Sequence, residues 1–303
     1  MMHKISQHLT DYDCWFTPFY CDGFYQFLQK KGLLDFTIIG GQNRKKTEAY
    51  LQQHQLPVDY AGKRHQYDLF LTCTDLLVQE NIRNKPVVLV QEGMTDPENL
   101  AFHFVKHTRK WGIPLWLAST STTGLSDSYQ AFCVASEGYR DHFLAKGVKG
   151  SKLKVTGIPN FDDVDRFLNN SFQKKGYVLV CTTDTRENFK VDFRKRFLKQ
   201  IKKLSGEREV IFKLHPNENR LRSEKEIQRF FPNSLICQEE DPGPLIANAD
   251  VVITQYSTLV YVAMALGKEA HSYFDKESLK KLVPIQNGGQ SARNISQVCR
   301  EFL

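Results

Sequence analysis

Short apolar strands alternate with helical segments along almost the whole chain. The strands predicted in its first half cover residues 35–41, 67–74, 85–93, 115–120 and 131–136, followed by a strand and a turn over 152–163. A second series covers 177–183, 208–216, 233–238, 249–258 and 269–275. Helices are predicted over 137–148, ending at Gly147, over the apolar run after Thr258, and from about Ala292. Alternation of this kind is typical of parallel sheets that carry helices on both faces.

A polar stretch, LNNSFQKKG at 168–176, separates the two series of strands. The chain has 303 residues, which suits two domains of about 150 residues better than one. We therefore predict an α/β protein with two Rossmann-like domains, 1–160 and 161–303, whose parallel sheets face each other across a cleft. The last helix is free to pack back on the first domain. Because ligands of open α/β sheets bind beyond the carboxyl ends of the strands, the cleft is the predicted site.

Composition and charge indicate the cellular compartment of the chain and the kind of partner it binds. No apolar run approaches the ~20 residues needed to cross a bilayer, and the N-terminus does not resemble a signal peptide, so we predict a cytoplasmic protein. The seven cysteines are scattered and form no CxxC pair, as expected of reduced thiols. The formal net charge of +7 favours an anionic partner such as a nucleotide, a phosphorylated substrate or a membrane surface.

The strand over 85–93 ends in a candidate catalytic carboxylate. Glu92 directly follows the buried run, and Gly93 allows the backbone to turn sharply there. A carboxylate in this position is suited to act as a general base. The alternative interpretation is a carboxylate at a helix N-terminus that favours the helix dipole without taking part in chemistry.

Three strand exits in the second half carry groups suited to phosphate. Thr182 and Thr183 follow the first strand of that half, and hydroxyls with free amide groups at such a turn bind phosphate well. The next strand runs into KLHP, in which Lys213 and His215 should point to the same side, and Pro216 fixes the backbone behind them. Ser257 and Thr258 begin a helix whose N-terminus offers free N–H groups. For both hydroxyl pairs, ordinary helix capping remains an alternative.

Several well-known motifs of cofactor binding and catalysis are absent from the sequence. No GxGxxG follows a strand, no GxxxxGK[ST] occurs, and no GxSxG is present, which disfavours nicotinamide dehydrogenases, P-loop enzymes and serine hydrolases. No cluster of His, Cys or carboxylate residues has metal-ligand spacing. We therefore predict no cofactor and no metal. The basic residues are not interleaved with the aromatic motif of a nucleic-acid-binding module, so no nucleic acid partner is expected.

The order of three short motifs resembles a known group of enzymes. QEG (91–93), KLHP (213–216) and YST (256–258) are similar to the acidic-glycine, His-Pro and Ser/Thr motifs of bacterial glycosyltransferases of the GT-B fold. They are most similar to the sialyltransferase, polysialyltransferase and capsule Kdo-transferase groups, which use CMP-activated sugars. The resemblance covers most of the chain at the level of motif order.

The resemblance implies a role for each matching residue. Glu92 would deprotonate the acceptor hydroxyl, and His215 would contact the donor phosphate and stabilise the leaving nucleotide. The residues implied in donor binding are Thr182, Thr183, Lys213, His215, Pro216, Tyr256, Ser257 and Thr258. The activity implied is metal-independent transfer, with inversion, from a nucleotide sugar to a hydroxyl of a bacterial surface glycan. A CMP-linked ulosonic acid such as Kdo or sialic acid is the favoured donor.

Other activities remain open alongside this one. Where the family often has two acidic residues before the glycine, this chain has Gln91 and then Glu92, so only one carboxylate is present. The stretch over 132–163 also resembles the non-hydrolysing UDP-N-acetylglucosamine 2-epimerases, although the turn QYSTLVYVAMA lacks their acidic run. A UDP- or CDP-linked donor, as used by glycerophosphotransferases, and a nucleotide-sugar-binding module without activity are the remaining alternatives.

Two segments of the sequence are candidates for further binding surfaces. The basic residues around 190–208 are interpreted as a solvated helix face, with a membrane-facing patch as the alternative. The aromatic segment CWFTPFYCDGFYQF at 14–27 is interpreted as core, with an acceptor-binding face as the alternative. The basic charge and the resemblance together predict a peripheral contact with the inner membrane, where a glycolipid acceptor would lie.

Overall fold

The computed structural model describes residues 1–34, 39–187 and 191–303, apart from the side chain of Gln42. Contacts within this part of the chain form two compact units, one of residues 1–160 with 289–303 and one of residues 161–288. The strand predicted over 35–41 falls largely on residues outside the described part, so its central residues are not tested.

The first unit contains one sheet, several helices and short 3₁₀ segments. Its helices up to residue 160 are α1 (Met2–Ser6), α2 (Gly23–Lys30), α3 (Gly41–Gln53), α4 (Leu100–Thr108) and α5 (Glu137–Lys146). Its strands are β1 (Phe70–Thr72), β2 (Val87–Val90), β3 (Ala131–Val134) and β4 (Leu153–Val155). The 3₁₀ segments are Tyr60–Gly62, Glu80–Ile82, Arg109–Trp111, Leu115–Thr122 and Gly150–Lys152.

The second unit continues the alternation of strands and helices. Its strands are β5 (Tyr177–Cys181), β6 (Val210–Lys213), β7 (Leu235–Cys237), β8 (Ala249–Thr254) and β9 (Glu269–His271). Its helices are α6 (Arg194–Ser205), α7 (Arg220–Gln228), α8 (Pro242–Asn248), α9 (Leu259–Ala265) and α10 (Lys276–Leu282), with a 3₁₀ turn at Asp165–Phe167. The chain then returns to the first unit with α11 (Ser291–Arg300).

The first sheet is parallel, with the strands in the order β1-β2-β3-β4. Every residue of β2 and β3 is buried, which is why both read as continuous apolar runs in the sequence. On one face the core is completed by α1 and α11, which pack together and bury Ile5 and Ile295 against Val88 and Val90.

The second sheet is also parallel and has the order β7-β6-β5-β8-β9. The central strand β5 is fully buried, and separate apolar clusters cover the two faces of the sheet. From β5 the chain first adds β6 and β7 on one side, then crosses over to add β8 and β9 on the other. This reversal makes the carboxyl ends of β5 and β8 the topological switch point, where open α/β sheets bind their ligands.

Ten of the eleven predicted strands lie entirely within the described residues, and one of these is wrong. The segment LWLAST at 115–120 is a kinked 3₁₀ segment instead of a strand. The hydroxyl of Thr122 donates to the carbonyls of Leu115 (2.8 Å) and Ser119 (3.0 Å), so side chains take the backbone groups that a strand ladder needs. Short hydroxyl side chains compete with regular structure in this way.

Two further observations concern the surface of the protein. The aromatic segment at 14–27 is not simply core, because Phe24 and Phe27 are exposed by 68% and 55%. Within the described residues, no helix is both long and apolar enough to cross a membrane.

Candidate functional site

The first part of the candidate site is the loop after β5, at the switch point of the second sheet. Thr182 and Thr183 are almost completely buried. The Thr183 hydroxyl lies 2.7 Å from that of Thr185 and donates to the side-chain oxygen of Gln255 at 3.2 Å. Since Gln255 directly follows β8, this bond ties together the two strand exits of the switch point. Helix α6 begins only at Arg194, so these threonines do not cap it.

The loop after β6 places His215 next to the β5 loop. Its ring nitrogen Nδ1 accepts the backbone N–H of Asn217 at 3.2 Å and lies 3.5 Å from a carboxylate oxygen of Asp184. Because Nδ1 is an acceptor, the neutral ring carries its proton on Nε2. The side chain of His215 is 39% exposed, so part of the ring faces solvent.

Two buried side chains under this loop fix its shape. Glu218 accepts the backbone N–H of His215 at 3.0 Å and the hydroxyl of Thr182. The amide of Gln238, which follows β7, donates to the carbonyls of His215 (3.2 Å) and Glu218 (2.9 Å). The loop that presents His215 is therefore held from both neighbouring strands, which is the kind of preorganisation that a binding site needs.

Glu218 also belongs to a buried ion pair. The guanidinium of Arg194, at the start of α6, donates to Glu218 at 2.6 Å and to Asp192 at 3.0 Å. Burial alone would lower the pKa of Arg194, but the two carboxylates outweigh it and raise that pKa. Sequence reasoning missed Glu218, Arg194 and Gln238. The only available signal was an acid three residues after His215, in HPNE.

The structure places Lys213 inside the protein. Lys213 is 5% exposed, and its ammonium group donates to the carbonyls of Leu214 (3.0 Å) and Gln238 (2.6 Å). Its described contacts are thus with the backbone of the β6 and β7 exits. Pro216 follows His215 in the same loop.

The exit of β8 carries the YST motif. Tyr256 is 48% exposed, and its ring packs edge-on against Tyr273 (5.4 Å) and Phe274 (5.2 Å). Thr258 is the N-cap residue of α9 without a capping bond from its side chain, whereas Ser257 accepts the backbone N–H of Leu259 at 3.4 Å. Helix α9 has only seven residues, so its dipole is short.

The predicted donor-binding residues therefore lie along one edge of the second sheet. Direct contacts join His215 to Asp184 of the β5 loop, and Thr183 of that loop to Gln255. His215 and Ser257 follow strands on opposite sides of β5, which corresponds to about 10 Å at the spacing of neighbouring strands. The structure brings both to the same edge of the sheet, with the β5 loop between them.

Glu92 lies at the corresponding edge of the first sheet. The preceding residue, Gln91, is buried, accepts the backbone N–H of Ala135 at 2.9 Å and donates to the carbonyl of Gly93 at 2.9 Å. Its amide therefore ties the backbone just after Glu92 to the exit of β3. Helix α4 begins at Leu100 with Asn99 as its N-cap, so Glu92 is too far along the chain to serve that helix dipole.

The surroundings of Glu92 favour its protonated form. Desolvation by neighbouring atoms raises the pKa of its carboxyl, and the amino group of Met1 partly opposes the shift. The residue remains exposed to solvent. A raised pKa makes the deprotonated carboxylate a stronger base, and its accessibility lets it meet an acceptor hydroxyl.

Metal ligation has no evident location in the part of the chain that the structure describes. No group of three His, Cys, Asp or Glu side chains there could hold an ion. The seven cysteines are all free thiols.

Comparison with known proteins gives matches only among solved structures. No protein-family model matches the chain, and no curated protein matches it significantly. A UDP-GlcNAc 2-epimerase from Neisseria meningitidis bound to UDP-GlcNAc is 14% identical with a TM-score of 0.55, over 86% of this chain and 90% of that one. Another UDP-N-acetylglucosamine 2-epimerase is 13% identical with a TM-score of 0.51, over 99% and 92%.

The co-structure of Staphylococcus aureus MnaA with UDP is also similar, at 11% identity and a TM-score of 0.52, over 99% of this chain and 83% of that one. Likeness at these identities establishes the fold. The predicted α/β class of GT-B type, with a parallel Rossmann-like sheet in each unit, is confirmed.

Proposed function

We propose that this protein is an enzyme that uses a nucleotide sugar, and that it is an inverting glycosyltransferase that needs no metal. The observation that carries the proposal is the preorganised loop of His215 beside Thr182 and Thr183, at the switch point of the second sheet. This is the place where an open α/β sheet binds a nucleotide. His215 belongs to the His-Pro motif by which the sequence resembles transferases.

The second unit would stabilise the leaving nucleotide. Transfer breaks the bond between the sugar carbon and a phosphate oxygen, and negative charge develops on that phosphate. The N–H on Nε2 of His215 can donate to this oxygen, and the hydroxyls of Ser257 and Thr258 supply further donors at the same edge. Donors fixed before the reaction stabilise such charge without reorganising. Pro216 and Tyr256 would shape the surroundings of the phosphate.

The roles of the buried residues follow from their contacts. We assign Lys213, Thr182 and Thr183 to holding the strand exits, because their polar atoms are engaged by protein groups. In this proposal Lys213 influences donor binding through the backbone and not through direct contact with the phosphate.

Glu92 would complete the reaction as the general base. Its carboxylate takes the proton from an acceptor hydroxyl, whose oxygen attacks the sugar carbon as the phosphate leaves from the opposite face. One bond forms and one breaks in a single displacement, which inverts the configuration at the sugar carbon. The proton ends on Glu92 and the bonding electrons on the nucleotide.

The donor that we favour is a CMP-linked ulosonic acid, such as Kdo or sialic acid, and the acceptor a bacterial surface glycan. The support for CMP is the order of the QEG, KLHP and YST motifs. The ligands named for the similar structures, UDP-GlcNAc and UDP, support a UDP-linked donor as the second candidate. Work at the cytoplasmic side of the inner membrane, on a lipid-linked glycan, fits the basic charge of the chain.

A UDP-GlcNAc 2-epimerase is the alternative function, supported by the epimerases among the similar structures. An epimerase converts the nucleotide sugar in the absence of any acceptor, whereas a transferase requires one. Incubation with UDP-GlcNAc alone, followed by separation of the epimeric sugars, distinguishes the two. Epimer formation without an acceptor would replace the transferase proposal.

The nucleotide itself can be identified by thermal shift. CMP, UDP, CDP and GDP are compared at equal concentration, and we expect one of them, CMP first, to raise the melting temperature selectively. A ligand stabilises a protein only through its affinity for the folded state. The absence of a shift with every nucleotide would contradict the proposed binding site.

The variant His215→Ala tests the assignment of the site. We expect it to raise the dissociation constant of the selected nucleotide roughly ten-fold or more, because a hydrogen bond to a charged group contributes about 1.5–3 kcal/mol. Titration calorimetry gives the measurement. The control is His54→Ala, an exposed histidine beyond α3 in the first unit, which should bind nucleotide as the unaltered protein does. Equal affinities for both variants would show that His215 does not touch the nucleotide.

A further inference from the structure

Helix α4 has apolar residues on both of its sides. Phe102 and Val105 are buried in the core, with exposures of 0% and 1%. Leu100 and Phe104, which are four residues apart and therefore share a face, are exposed by 89% and 59%. A surface helix normally carries polar residues on its outer face. The outer face of α4 therefore carries a stripe of apolar side chains that do not contribute to the core.

Further exposed aromatic side chains adjoin this stripe. The 3₁₀ turn after α4 exposes Trp111 by 82%, and α4 packs against the 3₁₀ segment 115–122, where Trp116 is 43% exposed. Trp116 in turn donates its indole N–H to the hydroxyl of Tyr25 on α2, at 3.0 Å. Helix α2 thus lies beside the same segment. We call the exposed apolar residues of these neighbouring elements the aromatic face, which consists of Phe24, Phe27, Leu100, Phe104, Trp111 and Trp116.

The two stretches of chain that carry the aromatic face contain only positive charges. The sequence has no Asp or Glu between residues 23 and 34, or between residues 99 and 126. The same two stretches contain five lysine or arginine residues, of which Lys30, Lys31 and Lys110 are exposed. Asp22 and Glu98 lie just outside the two stretches, so cations outnumber acids there without being the only charges. Exposed apolar side chains beside an excess of cations are what an anionic surface with an apolar interior would complement.

We propose that the aromatic face docks the first unit onto the surface of an anionic lipid bilayer. The exposed aromatic and leucine side chains would enter the boundary between headgroups and acyl chains, where tryptophan is favoured because its ring is apolar and its N–H is polar. Lys30, Lys31 and Lys110 would meet the lipid phosphates. The inference concerns a contact with lipid and does not depend on the proposed transferase activity.

A second copy of the chain is a less suitable occupant of this face. A two-fold contact buries the same patch from both copies. Because cations outnumber acids in and beside these stretches, cations of the two copies would face each other more often than they would face acids, and such like-charge contacts oppose association. The basic helix α6 is also a poorer candidate for insertion, because its own apolar side chains Phe197, Leu198 and Ile201 are buried. Among the described residues next to it in the chain, only Val191 and Phe193, just before it, expose apolar side chains.

The test is co-sedimentation with vesicles of phosphatidylglycerol mixed with phosphatidylethanolamine, against vesicles of phosphatidylcholine alone. We expect binding to the anionic vesicles and much weaker binding to the neutral ones. The variant Phe104→Ser/Trp111→Ser should bind the anionic vesicles about ten-fold less, since burial of apolar area drives interfacial binding. Each of Lys30→Gln, Lys31→Gln and Lys110→Gln should weaken binding about five-fold at low salt.

The matched control is Leu221→Ser, which removes an apolar side chain exposed by 80% on α7 of the second unit. It should bind vesicles as the unaltered protein does. All variants change exposed residues, so their melting temperatures should stay close to that of the unaltered protein. A blue shift of tryptophan emission on anionic vesicles, reduced in Trp111→Phe, would place that residue at the interface.

Three results would overturn the proposal. One is the absence of vesicle binding by the unaltered chain, and another is equal binding by Phe104→Ser/Trp111→Ser. The third is a dimer in sedimentation equilibrium that this double variant dissociates, because the face would then be an interface between copies. If Lys195→Gln/Lys199→Gln on α6 abolishes binding while the double variant retains it, the contact lies on α6 instead. Nucleotide binding is measured separately, so failure here would count against work at the membrane but would leave the proposed transferase activity unaffected.

Discussion

Replacement of Glu92 by glutamine is expected to lower kcat by roughly 10²–10⁴-fold, the usual contribution of a general base. Glutamine keeps the shape of the side chain and the hydrogen bonds made by Gln91, but it cannot accept the acceptor proton. Nucleotide affinity should not change, because the phosphate-binding groups that we propose all belong to the second unit. Steady-state kinetics with the nucleotide sugar found by thermal shift, together with calorimetry, separates the two quantities.

The control for this experiment is Glu98→Gln, which removes an exposed carboxylate on the same connection between β2 and α4. It should retain nearly the full rate. A Glu92→Gln variant with a comparable rate would show that another group takes the proton. A variant that loses nucleotide binding as well would show that Glu92 supports the fold of the site and does not act only on the acceptor.

The pH dependence of the rate should carry the signature of Glu92. Desolvation raises the pKa of its carboxyl above the ordinary value of 4.5, and only the deprotonated form can act as a base. The value of kcat/KM should therefore fall as the pH drops through that raised pKa, so the acid limb lies above pH 4.5. The limb should be absent from the residual activity of Glu92→Gln. A profile of the unaltered enzyme that stays flat on the acid side would contradict this assignment.

Glu218→Ala is expected to have the largest effect on stability, about 3–5 kcal/mol. The change leaves the buried guanidinium of Arg194 without its shorter ion pair, at 2.6 Å, and removes the acceptor for the N–H of His215. A buried charge that loses its partner carries a penalty of this size. Urea unfolding followed by a probe in the second unit measures it. The midpoint should fall with little change in slope.

The control is Glu224→Ala on α7, which breaks an ion pair with Arg220 of similar length, 2.7 Å, at the surface. Exposed pairs contribute little to stability because water screens them, so this variant should unfold almost as the unaltered protein does. Equal effects of the two changes would mean that the buried network does not hold the second unit together. The folded fraction of Glu218→Ala should also bind nucleotide weakly, because the loop of His215 is released.

The sequence predicted the fold well because both sheets are buried on both faces. Strands such as β2 and β5 must then be continuous apolar runs, and such runs are visible in the amino-acid pattern itself. The segment 115–120 has the same composition of apolar residues but becomes 3₁₀, because the Ser and Thr residues around it bond to its carbonyls. Which carbonyls these hydroxyls reach depends on side-chain rotamers, and the pattern of apolar residues in the sequence carries no information about them.

The candidate site could be predicted only at the level of strand exits. Parallel strands deliver their carboxyl ends to one edge, so the order of the strands was enough to assign residues such as Thr183 and His215 to that edge. The direction of a side chain could not be assigned in this way. Lys213 turns inward to carbonyl groups, Glu218 turns back under its own loop, and Gln91 ties the backbone just after Glu92 to the exit of β3. Each of these depends on neighbours that are distant in sequence.

The first unit is assembled from both ends of the chain, since α11 packs with α1 beside β2. During synthesis on the ribosome, α11 emerges only after the second unit has been completed. Until then the face of the first sheet that α11 covers stays exposed to solvent. Transiently exposed apolar surface of this kind makes a nascent protein prone to aggregation and a client of chaperones. A chain truncated near residue 288 would keep the second unit complete but would leave the first unit without α11.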